Sequence, residues 1–231
     1  MSGAVRASDD EAGAGDRGGS GRRDRARIDG RDHPSSGGLV PERYPLTSRP
    51  PEVLEPGPIE LHRHCSADCA QLVDAVNESL GELRRWMPWA QTAATEASIG
   101  DFLERSRRAW DEGLEFGYSI RPAAPSGTGD AIIGSCGLHF RSDPGVAEIG
   151  YWVRTDRTGA GIATAAARTL TSAALELAEV AHVEIHCDAA NRASRAVPAK
   201  LGYRLDRVEM RPPTPRTPEE TDELMIWVFP A

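Results

Sequence analysis

Glu148-Ile149-Gly150-Tyr151-Trp152-Val153, then Arg154-Thr155-Asp156-Arg157-Thr158-Gly159-Ala160-Gly161, then Ile162-Ala163-Thr164 is the stretch whose reading decides the fold. Its first part completes a strand, Val146 to Val153. Its last part opens a stripe of Ile162, Ala166, Leu170, Ala174 and Leu177, which predicts a helix from Ile162 to Glu179. Between them Gly159 and Gly161 let the backbone turn sharply and expose consecutive N–H groups, and the following helix aims its positive end the same way. That is an anion site, suited to a phosphate or pyrophosphate. No Gly-Lys-Ser/Thr occurs, so this is not a P-loop, and Thr164 breaks the dinucleotide fingerprint. A glycine pair of this kind also serves as a plain connector, so the turn alone does not settle the function.

Working outward, His182 to Cys187 reads as a strand, Ala193 to Leu201 as a short helix and Tyr203 to Met210 as a strand. A proline-rich excursion, Pro212 to Pro218, precedes a last strand at Leu224 to Phe229. Towards the N-terminus, Phe116 to Arg121 and Ala131 to Phe140 are strands. A helix from Thr95 to Glu112 carries Ile99, Phe102, Leu103, Ser106 and Trp110 on one stripe. Trp86-Met87-Pro88-Trp89 interrupts the helical pattern, because proline forbids a smooth continuation. Before it Leu72, Val76 and Leu80 share a helical face, with Ser66 as cap and Asp68 in the first turn. Ile59 to Arg63 is a short first strand. The order β-α-α-β-β-β-α-β-α-β-β predicts a mixed α/β domain without internal repeats.

Composition sets the limits of that domain. Met1 to Gly38 holds 9 Gly, 7 Arg, 7 acidic residues and no aromatic residue, too little apolar surface to offset the entropy of ordering it. Residues 1–40 are therefore read as a disordered tail, 41–58 as a stiff proline-rich lead-in and 59–231 as the folded domain. The net charge of −8 falls wholly on the folded part and argues against a nucleic-acid surface. No apolar run reaches the roughly 20 residues of a membrane span, and no apolar signal core follows the N-terminus. Cys65, Cys69, Cys136 and Cys187 lack secreted-framework density or CxxC spacing and read as free thiols of a cytoplasmic protein. Only Lys200 among the 27 basic residues is lysine, a skew expected of a GC-rich bacterial genome. His62-x-His64-Cys65-x3-Cys69 matches no familiar metal spacing, and no metal is expected.

Glu148 to Val153, Gly159 to Thr164, and Asn191-Arg192-Ala193-Ser194 running to Lys200-Leu201-Gly202-Tyr203 together resemble the GNAT superfamily of N-acetyltransferases over about Ile59 to Phe229. Trp86 to Trp89 and the Glu148–Val153 strand look most like the branch containing ribosomal-protein N-terminal serine/alanine acetyltransferases. The resemblance implies a mostly antiparallel central sheet whose fourth and fifth predicted strands, Val146 to Val153 and His182 to Cys187, splay apart between flanking helices. It implies acetyl-CoA as co-substrate. The pyrophosphate would lie on Arg157, Thr158, Gly159, Ala160, Gly161, Ile162 and Ala163, and the pantetheine arm would bond backbone at Trp152 and Val153 like an added strand. Two positions depart from the family pattern. Asp156 stands where Gln or Arg is usual and is expected to turn away, capping the helix or pairing with an arginine. Pro198 stands where many members carry the tyrosine that protonates the departing thiolate, leaving Ser194 as the acid, as in the ribosomal-protein branch.

Acetyl transfer to an amine needs a base for the amine proton, a donor for the oxyanion and help for the leaving thiolate. Glu148 is the candidate base, acting through water, since it shares a strand face with Gly150 and Trp152; His186 is the runner-up. Asn191 fixes the loop or touches CoA. Trp86, Trp89, Tyr118, His139 and Phe140 are the candidates for the acceptor pocket, although aromatics of this kind also serve as core. The acceptor is a protein N-terminus or a small amine, and the protein a monomer or homodimer. The competing reading is a non-catalytic acyl-CoA-binding regulator of the same fold.

Overall fold

The alternation of apolar side chains along successive strands builds one open sheet. A computed structural model describes residues 45–55, 57–123, 131–140, 143–210, 217 and 219–230. Within them run β1 (Val53–Leu54), β2 (Ile59–Arg63), α1 (Cys69–Glu78), α2 (Leu80–Leu83), α3 (Glu96–Glu112), β3 (Glu115–Pro122), β4 (Gly134–His139) and β5 (Val146–Val153). There follow α4 (Ile162–Leu175), β6 (His182–Asp188), α5 (Arg192–Leu201), β7 (Arg204–Met210) and β8 (Glu223–Pro230). The strand order is β1-β2-β3-β4-β5-β6-β8-β7. Every pairing is antiparallel except β5 with β6. Residues 1–40 and most of 212–218, expected as tail and excursion, lie outside the described residues.

The parallel pair makes the fold asymmetric. It holds only at Val146 with His182, Ala147 with Val183 and Glu148 with Glu184. Beyond Glu148, β5 stays with β4 while β6 continues along β8, so the two strands part company. The splay expected of the fourth and fifth predicted strands is therefore present, at β5 and β6.

One sheet face is closed by α4, whose Ala166, Ala167, Leu170 and Ala174 are fully buried among Phe116, Leu138, Ile149 and Val183. The alanines let the helix approach closely, and each large side chain buried here contributes about 1.5–3 kcal/mol. On the other face α1 and α3 bury Leu72, Val76, Ile99 and Leu103. Thr95 caps α3 reciprocally: Ser98 N donates to its hydroxyl at 3.2 Å, and Thr95 N donates to Ser98 Oγ at 3.0 Å. Gly113, at φ 76°, ends the helix in the left-handed region.

Three local expectations need correction. Ser66 does not cap α1: Ser66–Asp68 form a 3₁₀ turn, and the Asp68 carboxylate is taken by Ser119 (2.7 Å) and Arg121 (2.8 Å). The helix expected to reach Glu179 stops at Leu175. Leu177 and Val180 are both buried and the chain winds through single turns to seat them. Glu179 then accepts from Thr47 N at 2.8 Å and from the hydroxyls of Thr47 and Ser48. Finally, the stiff lead-in expected to precede a folded domain at Ile59 is itself packed on the body from Leu46 onward. Leu46 is buried, β1 pairs with β2, and Arg49 stacks on Phe116 with 5.7 Å to the ring centre. The packed body thus reaches back ahead of Ile59.

Candidate active site

The Gly turn forms the mouth of a cleft. Gly159 and Gly161 take φ of 78° and 79°, and a Cβ at either would meet nothing within 4 Å, so both face open space. Gly161 is the residue before α4, whose first N–H groups have no partner inside the helix. Asp156 turns away as expected: Arg154 donates to it at 3.0 and 3.1 Å, Arg157 lies at 3.6 Å, and the arginine hydrogen bonds hold its carboxyl below the usual range. The cleft, about 340 Å³, is lined by Trp152, Val153, Arg157, Thr158, Gly159, Gly161, Ile162, Ala163 and Asn191, all expected there. Ala160, at the exposed tip, does not line it.

Where β5 leaves β6 a second chamber of about 300 Å³ opens, sharing Trp86, Met87, Tyr151, Trp152, Asn191 and Ser194 with the cleft. Its floor is a row of glycines across three strands, Gly117, Gly137 and Gly150 in register. The row is sterically required: a Cβ on Gly117 would stand 2.6 Å from His64 Nδ1, and one on Gly150 would stand 3.1 Å from His139 Nε2. Against the Gly117 end of the row, buried His64 lines the same chamber between Ser106 (3.1 Å) and Ser135 (3.0 Å), and burial lowers its pKa to about 4 against the pull of Asp68.

The ionisable side chains form a second row. Glu115, His139, Glu148 and Glu184 are consecutive cross-strand partners. His139 Nδ1 lies 3.2 Å from Glu115, and His186 lies 2.6 Å from Glu184 and 3.7 Å from Glu148. Burial pulls the His186 imidazole down, but the Glu184 hydrogen bond and the two carboxylate charges outweigh it and raise its pKa. The hydrogen bond to His186 in turn lowers Glu184. Glu148, Trp86, Trp89, His139, His186 and Ser194 all line this chamber. Tyr118 and Phe140 do not. Tyr118 is fully buried, donates to Pro51 O at 2.9 Å and packs on Trp110, while Phe140 packs on Phe116. Both are core, because residues alternating with the glycine row project to the opposite face.

One residue escaped the sequence reading. Tyr151 Oη stands 3.1 Å from Ser194 Oγ and 3.2 Å from Ser194 O, at the junction of cleft and chamber. Burial raises its pKa. Asn191 caps α5 by accepting from Ser194 N at 3.0 Å and so fixes that serine. Pro198 sits inside α5 and offers no hydroxyl. Among the described residues no group of three His, Cys, Asp or Glu could hold a metal, and no helix is long and apolar enough to cross a membrane.

The acetyltransferase (GNAT) domain family matches residues 59–204. YdaF of Bacillus subtilis (strain 168), a candidate ribosomal N-acetyltransferase, is 30% identical over 142 residues, 59% of this chain and 72% of its own. Among solved structures, the microcin C7 self-immunity acetyltransferase MccE, in complex with acetyl-CoA and AMP, superposes with a TM-score of 0.69 at 18% identity. The match covers 78% of this chain and 97% of MccE. RimL, a ribosomal L7/L12 α-N-protein acetyltransferase in complex with coenzyme A, gives 0.69 at 16%, covering 78% and 98%. The chain belongs to the GNAT acetyltransferase family and is an acetyl-CoA-dependent N-acetyltransferase.

Proposed function

We propose that the acceptor is the α-amine of a peptide or protein N-terminus, and that it enters the glycine-floored chamber to meet the thioester at Glu148, Tyr151 and Ser194. The lining carries this reading. Glu115, Glu148, Asp188 and Glu220 line the chamber and, among the described residues, no lysine or arginine does, an electrostatic match for a cationic amine. Similarity to YdaF, named as a ribosomal N-acetyltransferase, supports a protein acceptor over a small amine. The pyrophosphate of CoA lies on Arg157 to Ala163. The pantetheine arm follows Trp152 and Val153, whose β5 edge has no β6 partner.

In this mechanism Glu148, through a water, takes the proton from the ammonium, and the freed nitrogen attacks the thioester carbonyl. The C–N bond forms, the C–S bond breaks, the nitrogen sheds its second proton to water, and the thiolate takes a proton from Ser194, which regains one from water directly or through Tyr151. A thiol of pKa about 8.5 is a fair leaving group, so the acid contributes less than the base. The arginine-for-lysine skew and the free thiols support a bacterial, cytoplasmic setting, with the enzyme working as a monomer or homodimer. The test is thiol release from acetyl-CoA against free and N-blocked peptides and against polyamines and aminoglycosides. Release with free peptides alone is expected. Release only with small amines overturns the acceptor class, and none with any acceptor favours the CoA-binding regulator.

A further inference from the structure

Beside the acid-lined chamber lies a larger one, of about 540 Å³, that the reaction as described leaves unused. It sits between α1, the segment Thr92 to Thr95 and the start of α3. Leu72, Val76, Ile99, Ala93 and Ala94 line it, and among the described residues its only ionisable side chain is the exposed Arg105. The two chambers share a wall of Trp89, Phe102, Ser135 and Trp152. Trp89 stands on the 3₁₀ turn Pro88–Ala90 and is 54% exposed, its ring 6.4 Å from that of Trp152 and tilted by 56°. Well-packed interiors leave few voids larger than a water molecule. This space has buried Leu72, Val76 and Ile99 on one side and exposed Thr92, Ala93, Thr95 and Ser98 at its rim; it adjoins the reaction chamber and has the dimensions of a ligand site.

The contrast between the chambers assigns their contents. Carboxylates line the first and suit an ammonium; the second offers mainly hydrocarbon and two indole rings, with the hydroxyls of Thr92, Thr95, Ser98 and Ser135 and the Arg105 guanidinium beside them and no carboxylate among the described residues. We infer that the second chamber receives a bulky apolar side chain, such as Leu, Ile or Phe, from the first or second residue of the acceptor, and so sets which N-termini are acetylated. The inference rests on the reading that the amine enters the acid-lined chamber. Its occupant follows from continuity: one molecule placing its amine beside Glu148 has the shared wall of Trp89, Phe102, Ser135 and Trp152 between it and a mainly apolar space. The two tryptophans then flank the entering side chain.

The experiment measures kcat/KM with acetyl-CoA and the tripeptides Leu-Gly-Gly, Gly-Leu-Gly and Gly-Gly-Gly, on the parent and on Ala94→Leu and Ala93→Leu. Both substitutions fall between the Pro88–Ala90 turn and α3, outside any helix or strand, and thermal melts check that each variant folds. The better leucine peptide is expected to exceed triglycine at least tenfold, chiefly through KM, and at least one variant should bring the ratio to within threefold of one. Triglycine as good as both leucine peptides overturns the inference. So does a leucine preference that survives both substitutions, which would locate it elsewhere. Phenethylamine against ethylamine separates this claim from the one beneath it. If no peptide is acetylated yet phenethylamine is preferred tenfold, and the variants abolish that preference, the chamber stands and the peptide reading falls. If neither pair shows a preference, the chamber assignment falls.

Discussion

Glu148 stands in the middle of the ionisable row, registered with His139 on one side and Glu184 on the other. If it relays the amine proton, Glu148→Gln lowers kcat by roughly 10²-fold and leaves CoA affinity unchanged by calorimetry. Ser194→Ala and Tyr151→Phe should each cost about tenfold or less, since water replaces a hydroxyl readily and the thiolate leaves tolerably unaided. Equal small losses at all three positions would leave proximity as the main source of rate. His64 carries a different prediction, about stability. Its pKa falls from 6.5 in the unfolded chain to about 4 in the folded one, so between these values the unfolded state binds the extra proton. Stability from this group is therefore complete above about pH 6.5 and drains away as pH falls towards 4, by about 2–3 kcal/mol. Urea titrations at pH 7 and 4.5 should show that loss in the parent and a smaller one in His64→Gln; equal losses would clear His64 of the effect.

At the scale of elements, the Gly turn and the strands around it were legible because their chemistry is local: two glycines, a strand before and an apolar stripe after. The turn's role is open to a clean test. Gly161→Asp puts a carboxylate where the pyrophosphate would lie and should weaken CoA binding by at least ~2 kcal/mol. Gly161→Asn also tolerates the left-handed backbone but adds no charge, and it should lose far less. Equal affinities for both and for the parent would remove the anion from this turn. What the sequence concealed depends on how elements pack. Period-two reasoning sent Glu148 and Trp152 to the gap and Tyr151 away from it, yet the opened strand edge lets Tyr151 reach Ser194 on α5. Tyr118 read as a candidate because an aromatic on a strand looks the same whichever face it takes; only the register with Cys136 puts it in the core. The glycine row had no signal along the chain, since Gly117, Gly137 and Gly150 meet only across three strands. The two-residue β1 is too short for any period to show.

The whole molecule raises the question of where the folded body begins. Composition marks Met1 to Gly38 as unable to bury a core, and contacts begin to matter shortly after it. Leu46 is buried with its N–H donating to Gly113 O at 2.9 Å, Thr47 and Ser48 hold Glu179, and Arg49 reaches Asp111 O at 3.0 Å. These contacts pin the segment to the end of α3 and to the turn before β6, two elements far apart in sequence. Two truncations separate the regions. Deleting residues 1–38 should leave Tm within about a degree, because nothing in that stretch offers enough apolar surface to stabilise the fold. Extending the deletion through Arg49 removes a buried leucine, worth about 1.5–3 kcal/mol, and leaves Glu179 without its hydroxyl partners. A fall of several degrees, about 2–4 °C per kcal/mol in a domain of this size, is then expected by calorimetry. A large drop from the first deletion would mean that the tail docks on the domain despite its composition. No drop from the second would mean that the lead-in contacts are compensated by the unfolded state, and that the fold begins at Ile59 after all.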